Sequence, residues 1–123
     1  MNVVVWIVQV LLALAFLAAG SMKLTQPREK LATNMGWVES HSDNFVRTLG
    51  AVEVLAAIGL VLPAVTGIAT PLTPLAALGL VLLMIGAAIT HARRDETQQI
   101  GMNAVLLILA AIVVWARLGP YSL

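Results

Sequence analysis

Four long apolar runs dominate the chain, about Val3–Met22, Phe45–Leu62, Leu72–His91 and Thr97–Ala116. A helix needs roughly 20 apolar residues to cross the hydrocarbon core of a bilayer, and these runs meet that length. None alternates with the period of two that marks a transmembrane strand about half as long. The expectation is an all-α integral membrane protein, a four-helix bundle in which residues 1–123 form a single transmembrane domain. Composition agrees: 60% of the residues are hydrophobic and 11% charged, against roughly 25% charged in soluble domains. The mean hydropathy is +0.96.

The boundaries of the runs have local causes. The second is expected to stop at Pro63, which cannot donate to the helical ladder, and a short uncharged turn with two further prolines follows. The third ends at Arg93, Arg94, Asp95 and Glu96, and the fourth at Arg117 before Gly119 and Pro120. Small residues in the first run, Ala13 to Gly20, imitate a signal-peptide cleavage site. The missing positively charged leader and three later runs of the same character favour a retained span.

Lys and Arg fall unevenly. Lys23, Arg28, Lys30 and Arg47 border the first loop and Arg93 and Arg94 the third, whereas the second loop has none. The positive-inside rule therefore predicts a multi-pass protein of the cell membrane with loops one and three in the cytoplasm and both termini outside. In the first loop, Leu31, Met35 and Val38 recur at helical spacing after Pro27, so a short interfacial helix is expected there. Trp37 on that segment reads as an interface anchor, or as a lid over a site if it faces the bundle.

Glu53 is the residue that calls for chemistry. Between Arg47 and Arg93 only Glu53 and His91 are ionisable, and an acid within a hydrocarbon-facing helix is costly unless it shares a polar interior. Helical phase supplies that interior. Gln9, Ala13, Phe16, Gly20 and Lys23 share one stripe of the first helix, and Gly50, Glu53 and Ala57 one stripe of the second. Met84, Ala87 and His91 align on the third, and Asn103, Ala110 and Arg117 on the fourth. In the predicted topology Lys23, Glu53, His91 and Asn103 converge on one level of the cytoplasmic half, as a ligand site or a proton relay.

Each of these has a structural alternative. Lys23 can snorkel to head groups, His91 can cap its helix, Asn103 can bond a neighbouring helix, and Glu53 can belong to an ion pair without function. No nucleophile–base pair is recognisable, so no catalytic residue is assigned. Two histidines and no cysteine give no metal motif and exclude disulfides and thiol chemistry within the chain. A net charge of +1 with scattered basic residues gives no case for nucleic acid. The lipid bilayer is the implied partner, and Gly59 and Gly79, expected to face outward, leave open a homo-oligomer, by packing against a second copy, or merely packing against a neighbouring helix.

The sequence resembles the DoxX-like family of small four-helix membrane proteins over nearly its whole length. The resemblance is carried by Ala19 to Leu24 (AGSMKL), Gly50 to Pro63 (GAVEVLAAIGLVLP), Pro71 to Gly79 (PLTPLAALG) and Gly86 to His91 (GAAITH). Lys23, Glu53 and His91 are the matching positions. The resemblance implies an association with membrane redox or oxidative-stress complexes and their partner proteins. No cofactor is evident from the residues themselves, but a quinone is the one that such a role suggests. Without cysteine, electron transfer would need that quinone or a partner's cofactor. Three functions follow: a quinone- or small-molecule-binding subunit of a membrane redox system, a small-molecule transport module, and a scaffold or assembly factor whose polar cluster is structural.

Overall fold

The computed structural model describes residues 2–27, 30–31, 36–37 and 41–123. Four helices follow one another: α1 (Asn2–Thr25), α2 (Asp43–Thr66), α3 (Leu72–Arg93) and α4 (Thr97–Leu118). All four are long and apolar enough to cross a membrane. They pack as two intimate pairs, α1 with α2 and α3 with α4, with α2 also against α3 and a lighter α1–α4 contact.

The polar stripes face inward. Gln9, Ala13, Phe16, Gly20 and Lys23 are the buried side of α1, Gly50, Glu53 and Ala57 that of α2, and Asn103, Ala110 and Arg117 that of α4. Leu12, Leu60, Ala77, Leu80, Ala110 and Val113 fill the centre between them. Large aliphatic side chains such as Leu14, Leu55, Leu82 and Ile108 point outward. Such a surface is unfavourable in water and natural in lipid.

The second helix departs from expectation. It does not stop at Pro63 but carries the proline inside and runs to Thr66. Proline removes the N–H that would bond the carbonyl of Gly59, four residues earlier. Thr73 of α3 replaces it: its hydroxyl donates to Gly59 O at 3.1 Å. The helix ends instead at Gly67, whose φ of 73° is left-handed and whose N–H bonds Pro63 O. At the other end Ser42 caps α2, its hydroxyl accepting from the Phe45 N–H at 3.2 Å.

Most of the expected interfacial helix lies outside the described residues, which omit 28–29, 32–35 and 38–40. Of the rest, Lys30 and Leu31 N–H groups both turn back onto Pro27 O. Leu31 is buried with Val46, and Met22 and Trp37 pack against them. That contact pins the first loop to the end of the bundle where α1 and α3 finish and α2 and α4 begin.

Candidate functional site

The site starts from two glycines. A methyl group on Gly20 would lie 2.6 Å from the Gly50 carbonyl oxygen, and one on Gly50 would lie 2.7 Å from Lys23 Cβ. The backbones of α1 and α2 therefore touch at this crossing, as small residues permit. Lys23 and Glu53 follow three residues later on their respective helices, so the crossing brings them together. Lys23 Nζ sits 2.9 Å from Glu53 Oε1 and 3.2 Å from Oε2, and both side chains are buried. The Trp37 ring centroid lies 5.9 Å from Nζ, within cation–π range.

This pair lines a cavity of about 530 Å³ between the two helix pairs. Phe16, Leu49, Leu83, Met84 and Leu106 supply apolar wall; Thr90, His91, Gln99 and Asn103 supply polar groups from α3 and α4. Trp37, His41 and Phe45 form an aromatic rim. His41 meets Trp37 edge-on at 5.6 Å and stacks on Phe45 at 4.7 Å. All of Lys23, Glu53, His91 and Asn103 thus border one space, and Trp37 faces the bundle at its edge.

The polar groups are not all joined to one another. His91 Nδ1 contacts Glu96 Oε1 at 2.8 Å, and Arg94 Nε donates to the same oxygen at 3.1 Å. The hydrogen bond from His91, backed by the charge of Arg94, holds the Glu96 carboxyl below the ordinary carboxylate range despite some desolvation. Arg94 also reaches the first loop, lying 2.6 Å from where a side chain on Gly36 would begin. Asn103 Nδ2 is buried and has no hydrogen-bond partner among the described residues. No group of three His, Asp or Glu side chains among those residues is placed to hold a metal.

Two elements escape the sequence reading. Glu96 reads as part of a charged stop, and its contact with His91 needs the tight turn in which Asp95 takes a φ of 57°. The second is at the opposite end of the bundle. Gln9 Nε2 donates to Leu60 O at 2.7 Å while Gln9 Oε1 accepts from Arg117 Nε at 2.5 Å. Arg117 also donates to Asn2 Oδ1 and Tyr121 O and lies over the Trp6 ring. Gln9 and Arg117 stand 108 positions apart, and helical phase alone gives no sign that they meet.

No curated protein and no solved structure matches the chain. A family profile described as the DoxX-like family matches residues 7–113, a stretch that reaches into all four helices and contains the glycine crossing, the Lys23–Glu53 pair and the cavity walls. This multi-pass membrane protein belongs to the DoxX-like family.

Proposed function

We propose that the bundle binds a small amphipathic molecule with a quinone-like head group, as the ligand-binding subunit of a membrane redox system. The observation that carries the reading is Asn103 Nδ2, buried without a partner on the wall of a cavity of about 530 Å³. An orphaned buried donor costs about 1 to 3 kcal/mol, and a ligand oxygen removes that cost. The cavity's size falls in the range of small-molecule sites, about 300 to 1,000 Å³, and its mix of apolar wall and a few polar groups is typical of them. Lys23 and Glu53 border the same space, and their charges compensate one another there. The chain has no cysteine, so electrons would pass through the bound molecule and a partner's cofactor.

Native mass spectrometry of protein extracted in mild detergent tests this, comparing wild type with Glu53→Gln at matched folding. A small molecule carried by the wild type and lost from the variant supports the proposal and names the ligand. An empty wild type, with Glu53→Gln merely less stable, would make the polar centre structural and favour a scaffold or assembly role.

A further inference from the structure

Glu96 adds something to the cavity that Lys23, Glu53, His91 and Asn103 do not supply. An ionised carboxylate only accepts hydrogen bonds, so its 2.8 Å contact requires the hydrogen on His91 Nδ1. Arg94 Nε on the same oxygen keeps Glu96 in the accepting form. With Nδ1 committed in this way, the nitrogen left to the cavity is Nε2, and in the neutral ring it bears the lone pair. His91 lines the cavity and Nε2 has no partner among the described residues.

We propose that Glu96 is a positioning residue that makes His91 Nε2 the proton acceptor of the cavity, and that the ligand head therefore carries a hydroxyl. The inference rests on the binding function proposed above. The hydroxyl donates to Nε2. When the proton passes, the ligand O–H bond breaks and an Nε2–H bond forms, leaving an oxyanion on the ligand and an imidazolium beside the Glu96 carboxylate. No oxidant enters this step. Among the described residues, the other charged or titratable groups around the space are Arg94 behind Glu96, the Lys23–Glu53 pair from α1 and α2, and His41 from the first loop. From α4 come the uncharged Gln99 and Asn103. Lys23 and the Asn103 amide are both donors suited to a developing oxyanion.

Nitrogen NMR of histidine-labelled protein in lipid nanodiscs tests the tautomer without any ligand, with His41→Gln used to assign the two rings. The expected result is a fixed Nδ1–H form of His91 in the wild type and loss of that preference in Glu96→Ala. Glu96→Gln, whose amide oxygen still accepts, should retain it at least in part. Decyl-hydroquinone should then shift the Nε2 resonance, while its dimethyl ether should not. No tautomer preference in the wild type, or none lost in Glu96→Ala, would overturn the inference whatever the cavity binds. In a second sample labelled at histidine, asparagine and tryptophan, a hydroquinone that moves the Asn103 amide and Trp37 indole signals but leaves Nε2 unchanged would also overturn it. If neither probe moves any cavity signal while the tautomer behaves as expected, the role of Glu96 holds, and the quinone-type ligand chosen for the site is what fails.

Discussion

Lys23 straddles the Glu53 carboxylate, with Nζ at 2.9 Å from one oxygen and 3.2 Å from the other. Both side chains are nearly enclosed, so solvent offers either group little compensation. Removing one partner strands the other as a buried charge, a change that typically costs about 3 to 5 kcal/mol. Lys23→Met should therefore destabilise the protein by about that amount, and the double variant Lys23→Met, Glu53→Leu should recover most of the loss. Unfolding titrations in detergent with the two singles and the double measure the coupling. Simple addition of the two costs would show that the pair is not a unit.

The helix crossing beside that pair should tolerate no side chain. Gly20→Ala places a methyl 2.6 Å from the Gly50 carbonyl oxygen, and overpacking of this kind costs about 1 to 3 kcal/mol. Gly101→Ala, where nothing lies within 4 Å, is the control and should be neutral or mildly stabilising, since alanine is the better helix former. Thermal unfolding of both variants in the same detergent decides it.

Thr73 stands in for a missing backbone donor, and so its value depends on Pro63. Thr73→Val should leave Gly59 O unsatisfied at a cost of about 1 to 3 kcal/mol. In a Pro63→Ala background the restored N–H should take that bond, and the same substitution should cost clearly less. A thermodynamic cycle over the four proteins supplies the difference.

The depressed Glu96 carboxyl carries a pH signature with a definite sign. A carboxyl that is more acidic in the folded state contributes stability above its unfolded value. That contribution is lost as the pH falls from the ordinary 4.5 through the lower folded value. Wild type should thus lose stability on acidification below that point, and Glu96→Gln should lose less over the same window. Chemical unfolding midpoints across acidic pH provide the measurement.

Membrane orientation can be read chemically because the chain has no native cysteine. A single cysteine at Asp95 should be shielded from an impermeant thiol reagent in intact cells, and one at Thr70 should react. The opposite pattern would reverse the orientation predicted from charge.

The helices and their inward faces were legible in the sequence because both depend on local composition. Twenty-residue apolar runs admit few folds, and the phase that aligns Gly50, Glu53 and Ala57 is fixed by helical geometry. Contacts made by distant groups were not legible. Pro63 looks like a stop because its missing N–H is a local fact, whereas the Thr73 hydroxyl that compensates for it arrives from another helix. His91 and Glu96 meet across a tight turn in which Asp95 adopts a left-handed conformation. The unsatisfied amide of Asn103 is likewise a property of the assembled bundle and not of its own helix.

The Arg117–Gln9–Leu60 tie decides what kind of space the bundle encloses. Beyond the floor of the cavity, Leu12, Leu60, Leu80 and Val113 are packed solid, and past them the arginine and glutamine are knotted across the far end. Within these helices the space is a cul-de-sac rather than a corridor. A guest of that space would not pass between these helices to the far end.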